Sequence, residues 1–252
     1  APPPELAGRR ILLVEDNEMN QMVAVELLAG IAKAQVQVAS TGLEALACLR
    51  HTRFDAVLMD VQMPGIDGFE TTKRIRAEPR LATLPVIAMT AHATAHYRQR
   101  CVAAGMNDFV GKPFAAPDLF RVLLHWIALQ EVPAEAPAAP PATASGATVS
   151  LAVGLACCLG REDLFRRVLG RFMDTQAADA ERFEQALASA DTDTLARLAH
   201  GMVSTAGMLG AQQLSALALE LQTALDEGPA ERLRSLAADY AQAHRAAVAE
   251  FS

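Results

Sequence analysis

Aromatic residues are scarce in this sequence. One Trp, two Tyr and nine Phe amount to 5% of a chain that is otherwise 52% hydrophobic, so its cores must be built from Leu, Ala, Val and Met. An excess of positive charge is also missing: 22 Lys and Arg against 29 Asp and Glu leave a net charge of -7. Phosphate backbones require a basic face, so nucleic acid is excluded as the main partner. The four cysteines, Cys48, Cys101, Cys157 and Cys158, show no CxxC or Cys/His ligand spacing. They read as reduced thiols of a cytoplasmic protein rather than as a disulfide framework or zinc site. No apolar run approaches the roughly 18 residues needed to cross a bilayer, so direct membrane contact is not expected. The start at APPPEL, without Met or a secretory signal, suggests a piece of a longer protein. The Ala-, Leu- and Arg-rich composition suggests a bacterium, and anchorage of a parent chain in the bacterial inner membrane is a separate matter. A Gly-rich ATP box and a P-loop lysine motif are absent as well, so this chain should not phosphorylate anything from ATP by itself.

What the chain does contain falls into two unlike halves. The stretch EVPAEAPAAPPATASGATVS is nearly all Ala, Pro, Ser and Thr and cannot bury enough surface to offset its ordering entropy. It reads as a Pro-stiffened linker, with domain limits at 1–8 for an N-terminal tail, 9–130 for the first domain, 131–149 for the linker and 150–252 for the second domain. Before the linker, the apolar runs ILLV (11–14), FDAVLM (54–59) and PVIAM (85–89) look like parallel strands covered on both faces. VQVA (36–39) alternates, as an outer strand does, and DFVG (108–111) is a fifth. Amphipathic stretches at 20–28, 42–49, 69–76, 96–104 and 118–129 lie between and after them. Five βα units imply a doubly wound α/β domain with a five-stranded parallel sheet. After the linker the strand signal disappears. Leu164 to Phe172, Phe183 to Leu187, Leu195 to Leu209, Leu214 to Leu225 and Leu233 to Tyr240 mark five successive helix faces of an all-α bundle.

Polar residues stand at the carboxyl ends of four of the expected strands, where open α/β sheets bind their ligands. Glu15 and Asp16 follow ILLV, Asp60 follows FDAVLM, Thr90 follows PVIAM and Lys112 follows DFVG. Three crowded carboxylates need a counter-charge, and a hard divalent ion such as Mg²⁺ suits oxygen ligands best. Lys112 offers an ammonium and Thr90 a hydroxyl, both suited to phosphoryl oxygens. A metal and a fixed cation are what phosphoryl transfer needs, with the Asp60 carboxylate as the attacking group.

These segments, LLVEDNEMNQ, LMDVQMPGIDGFE, VIAMTAHA and DFVGKPF, resemble the receiver domain of two-component response regulators, in the flavodoxin-like fold and in the form common to hybrid sensor kinases. The resemblance covers about Arg9 to Leu129. It implies that Asp60 is the phospho-acceptor, that Glu15 and Asp16 are the acidic pair for Mg²⁺, and that the Gln62 carbonyl is a further metal ligand. It also implies that Thr90 and Lys112 contact the phosphoryl group, that Ala91 keeps its approach open, and that Phe109 reorients when Thr90 moves. The Lys112–Pro113 bond is expected to be cis. A metal-dependent phosphatase acting on small molecules would share the aspartyl nucleophile, but it needs a second aspartate two residues after Asp60, where Gln62 stands.

In the second half, AHGMVSTAGMLGA places His200 among small residues. Leu195, Leu198, Met202, Ala206 and Leu209 define the expected buried face, and His200 lies about 200° from it at 100° per residue, so it should face outward. This segment is similar to the histidine phosphotransfer domain, whose resemblance covers about Ser150 to Ser252 and implies that His200 accepts a phosphoryl group. Val203 and Ser204 stand where that family has lysine and glycine, and Arg197, one turn earlier, is a candidate substitute for the missing lysine. The combined expectation is a two-component phosphorelay module. A histidine kinase domain upstream phosphorylates Asp60, His200 takes the group, and a downstream receiver collects it. The alternative is a phosphorylation-controlled interaction switch, in which the helical domain only docks.

Overall fold

The computed structural model describes residues 3–90, 95–112, 116–129, 149–158, 160–227 and 230–251. Ala91, Pro113 and the linker residues 131–148 lie outside this set, so the expected cis bond and the linker's conformation do too. The chain divides into two compact units, Ala1–Ala142 and Thr143–Ser252.

In the first unit, five parallel strands run β1 (Arg10–Val14), β2 (Gln35–Ala39), β3 (Ala56–Asp60), β4 (Val86–Thr90) and β5 (Asp108–Gly111), in the spatial order β2-β1-β3-β4-β5. The apolar residues of β1, and all of β3 and β4, are buried, which explains their unbroken apolar runs. β2 alternates because it forms an edge. Strand order reverses between β1 and β3, and it is outside the carboxyl ends at such a point that α/β sheets hold ligands. The helices are α1 (Glu18–Val25, continuing into a wider π-type turn over Glu26–Ile31), α2 (Gly42–His51), α3 (Gly68–Ala77), α4 (Ala95–Ala104) and α5 (Ala116–Leu129). Asn17, Thr41 and Asp67 cap α1, α2 and α3 by accepting from backbone N–H groups of the first turn. Gly65 adopts φ +84° in the turn before α3. A Cβ on Gly68 would collide with the Asp60 carbonyl, so only glycine lets α3 start this close to the end of β3.

The second unit is helical: α6 (Leu151–Cys157), α7 (Glu162–Ser189), α8 (Thr192–Met208), α9 (Gln212–Glu227) and α10 (Ala230–Phe251). Two of the expected faces, Leu164–Phe172 and Phe183–Leu187, belong to the single 28-residue helix α7. The intervening MDTQAADAER contains no breaker and is rich in good helix formers, so the polar gap is helix rather than turn. α6, capped by the Ser150 side chain, has no counterpart among the expected faces. α8 packs against α9, α7 and α6, and α10 against α9 and α7. Phe172 meets Phe251 edge-on with ring centroids 5.9 Å apart, and Phe183 lies 4.6 Å from Tyr240, so the few aromatics fasten α7 to α10.

Candidate functional site

Parallel register builds the first site. Val14 pairs with Met59 and Asp60 with Met89, so Glu15 arrives level with Asp60 as the two strands end. Thr90 pairs with Gly111, and its carbonyl accepts from the Lys112 N–H at 2.7 Å, which brings Lys112 to the same edge. Asp60 and Thr90 are the last residues of their strands rather than the residues after them, and both are buried.

Glu15, Asp16 and Asp60 each offer a carboxylate oxygen within 4.8 Å of the others. Lys112 Nζ donates to Glu15 Oε2 and Asp60 Oδ2, both at 2.6 Å, with all three side chains buried. The Gln62 N–H donates to Asp60 Oδ1 at 3.1 Å. Charge balance dictates the protonation. Burial, and then the Asp60 charge, push the Glu15 carboxyl up to about 8, against the opposing pull of Lys112 and Asn20. Burial alone would lower the Lys112 ammonium, but Asp60 and Glu15 outweigh it and hold its pKa above the ordinary lysine value. One lysine does not neutralise three acids, and the remaining donor set of hard oxygens fits a divalent cation such as Mg²⁺.

Glu15 is held from behind by residues that the strand-end pattern does not reveal. Asn20 Nδ2 donates to Glu15 Oε1 at 2.9 Å, the Asn17 N–H to the same oxygen at 3.2 Å, and Gln21 Nε2 to the Glu15 carbonyl at 2.6 Å. Their signal is the polar Asn20 on the stripe of α1 that also carries buried Val23 and Ala24. Phe109 sits on β5 three residues before Lys112, half-buried, with the Arg98 guanidinium 4.5 Å above its ring centroid. It packs toward α4 rather than joining the carboxylates.

His200 departs from expectation. It is 7% exposed, not outward-facing. The spacing argument assumed one buried face, but from Met202 to Met208 α8 is buried at every position, and α9 presents Gln222 to the imidazole. Gln222 Nε2 lies 3.4 Å from His200 Nδ1. The small residues of α8 therefore admit a helix of the same unit: Ser215 of α9 donates to the Val203 carbonyl at 2.6 Å. Arg197 stays exposed and donates to Thr194 Oγ1 at 2.9 Å. The sequence signal for Gln222 is only its polar place beside Leu221 in the apolar series Leu214, Leu217, Leu221 and Leu225.

Among the described residues, no helix is long and apolar enough to cross a membrane. Comparison with known proteins gives both halves a family. Residues 11–124 match the model of the response regulator receiver domain, and residues 167–250 match that of the Hpt domain. Sensor histidine kinase GacS of Pseudomonas protegens is 31% identical over 233 residues, covering 90% of this chain and 25% of that protein. Virulence sensor protein BvgS of Bordetella pertussis is 32% identical over 238 residues, covering 90% of this chain and 19% of that protein. The chain thus spans about a quarter or less of the length of these relatives. Among solved structures, the receiver domain of sensor histidine kinase PA1611 from Pseudomonas aeruginosa, crystallised with magnesium in its active site cleft, is 41% identical. It covers 48% of this chain and 99% of its own, with a TM-score of 0.46. The chain belongs to the two-component signalling proteins, as a response regulator receiver domain followed by an Hpt domain.

Proposed function

We propose that this chain is a two-station phosphorelay module in which Asp60 receives a phosphoryl group and His200 takes it onward. The observation that carries the reading is the Lys112 ammonium 2.6 Å from both Glu15 and Asp60, inside a cluster of three carboxylates. A carboxylate so placed is a nucleophile whose product, an acyl phosphate, carries two negative charges where the carboxylate carried one, beside a fixed cation. Domain limits of 9–130 and 150–252, with a linker over 131–149, accompany the proposal.

The Asp60 carboxylate attacks phosphorus of an incoming phosphohistidine; the P–N bond breaks as the P–O bond forms, and the donor imidazole leaves. Glu15, Asp16, Asp60 and the Gln62 carbonyl would hold Mg²⁺, which when bound neutralises phosphoryl oxygens. Lys112 moves from bridging two carboxylates to pairing with the new phosphoryl group, and Thr90 offers its hydroxyl from the adjacent strand end. In the second transfer His200 attacks the aspartyl phosphate, and the Asp60 carboxylate departs with the electrons of the broken P–O bond. Nε2, the ring nitrogen that does not face Gln222, is the attacking atom in this reading. That nitrogen is nucleophilic only when the proton rests on Nδ1, so Gln222 must turn its amide oxygen toward the ring. A kinase histidine upstream and a separate receiver downstream are the partners this chemistry requires, and a hybrid sensor kinase is the parent that the relatives support.

The test uses radiolabelled acetyl phosphate and Mg²⁺ on wild type, Asp60→Asn and His200→Gln. Phosphohistidine is labile in acid and the aspartyl phosphate in base, which separates the stations. Acid-labile label that requires Asp60 is expected. Label that stops at Asp60 in the wild type overturns the relay and leaves a phosphorylation switch with a docking domain.

A further inference from the structure

Asn20 occupies a position that helix periodicity assigns to the core. It shares the inward stripe of α1 with Val23 and Ala24 and is 2% exposed, where an apolar side chain would pack without desolvating an amide. Burial of so polar a group is sustained by use, and here the use is directional. A carboxylate oxygen only accepts, so the Asn20 amide must turn its nitrogen to Glu15 Oε1, at 2.9 Å. The Asn17 N–H reaches that same oxygen, while Lys112 takes the other, Oε2. The Glu15 carboxylate is thereby fixed in plane and rotation from both sides. On the far side of the amide, Asn20 Oδ1 is buried and has no hydrogen-bond partner among the described residues.

We infer that Asn20 is a positioning residue for the divalent-cation site, setting the orientation in which Glu15 meets the ion. The inference rests on the reading that the carboxylate cluster takes Mg²⁺. Asn20 makes no claim on the ion itself. It removes the rotational freedom that Glu15 would otherwise lose on binding. Groups that orient metal ligands in this way are worth about 10–100-fold in metal affinity.

Isothermal titration of the full chain with MgCl₂ tests this, with melting in EDTA as the measure of folding. Asn20→Ala should weaken Mg²⁺ about 10–100-fold. Asn20→Leu fills the same stripe with apolar volume, so it should melt no lower than wild type in EDTA yet bind Mg²⁺ as poorly as Asn20→Ala. A merely structural asparagine would move melting and leave affinity alone. In a Glu15→Ala background, adding Asn20→Ala should change affinity by less than about twofold, because the residue acts through Glu15. Unchanged affinity in both single variants overturns the inference, as does a full independent effect in the Glu15→Ala background. If the wild type takes up no Mg²⁺, the cation reading of the pocket fails first and the inference falls with it.

Discussion

The two phosphoryl-accepting residues proposed here sit in opposite kinds of surroundings. Asp60 is over-determined: strand register sets its level, the Gln62 N–H holds one oxygen and Lys112 the other at 2.6 Å. At His200, Gln222 Nε2 approaches Nδ1 at 3.4 Å, at the loose end of hydrogen bonding, in a helix that otherwise buries small and apolar groups. The difference suits their tasks. An aspartate that must discharge as readily as it charges needs a preorganised electrostatic cradle, whereas a histidine brings its own nucleophile and needs mainly the correct tautomer.

The largest effect should come from removing the cation that binds the cradle together. Lys112→Met leaves the buried Glu15 and Asp60 carboxylates facing each other without a counter-charge, a loss of about 3–5 kcal/mol for a broken buried pair. Urea unfolding of the first unit in EDTA measures it. The sign with pH is set by the carboxyls. In the wild type Glu15 is already raised to about 8, and without Lys112 it must rise further. The variant therefore recovers stability as pH falls and these acids protonate, and it recovers at neutral pH when Mg²⁺ replaces the missing charge. A Lys112→Met protein as stable as wild type in EDTA would erase the contrast between the two sites.

The same contrast governs what could be read from the sequence. Strands buried on both faces announce themselves as apolar runs, and a parallel sheet aligns their ends, so the clustering of Glu15, Asp16, Asp60 and Lys112 was legible in the sequence, with Thr90 placed at the neighbouring strand end. Asn20 was not, because its value lies in a contact across a strand–helix junction rather than in a pattern. In the helical unit, periodicity found the apolar stripe of α8 but placed His200 on the wrong side of burial. Only the first turns of α8 keep a solvent face; from Met202 on it is buried all round, and Gln222, which lies against the imidazole, is 22 residues away in the chain. The polar middle of α7 misled for a related reason: hydrophobic periodicity reports packing, and helix propensity carries the chain through stretches that pack little.

At His200 the expected effects are smaller. Gln222→Leu should lower label transfer from Asp60 to His200 about tenfold, equivalent to about 1.4 kcal/mol, by releasing the tautomer, while changing stability by no more than about 1 kcal/mol. Gln222→Glu, which accepts only from a protonated Nδ1, should retain or exceed wild-type transfer. If Leu and Glu behave alike, Gln222 does not set the tautomer.

A second buried polar pair, distant in sequence from His200, should make the helical unit lose stability in acid. His244 Nε2 meets Gln176 Oε1 between α7 and α10, and Gln176 Nε2 donates onward to the Phe172 carbonyl at 2.9 Å. Burial lowers the His244 pKa below its ordinary 6.5, with Asp179 opposing and Arg245 adding to the shift. The unfolded chain thus binds the extra proton first. Stability from this residue is complete above about 6.5 and declines as pH falls below it. His244→Gln keeps the donor to Gln176 but does not titrate, so the slope of melting temperature against pH between 6.5 and 5 should flatten. An unchanged slope assigns the acid sensitivity elsewhere.

The smallest effect concerns Ser204, which stands one helical turn beyond His200 where the Hpt resemblance expects glycine. It is 1% exposed, and its Oγ has no hydrogen-bond partner among the described residues, not even the carbonyl four residues earlier that a helical serine commonly reaches. A buried hydroxyl in that state is an uncompensated desolvation, so Ser204→Ala should be neutral or stabilising by up to about 1 kcal/mol. A loss of more than that on urea unfolding would mean that the hydroxyl is bonded in solution. Transfer from Asp60 then separates two roles. If Ser204→Ala gains stability and keeps its transfer rate, the hydroxyl is packing and the tolerance of this turn extends from glycine to serine. If it gains stability but loses transfer, the hydroxyl is held unsatisfied in the resting chain for a group that arrives with the reaction. The histidine site would then hold an unpaired hydroxyl ready for the phosphoryl group, whereas the aspartate site keeps both Asp60 oxygens paired until the group arrives.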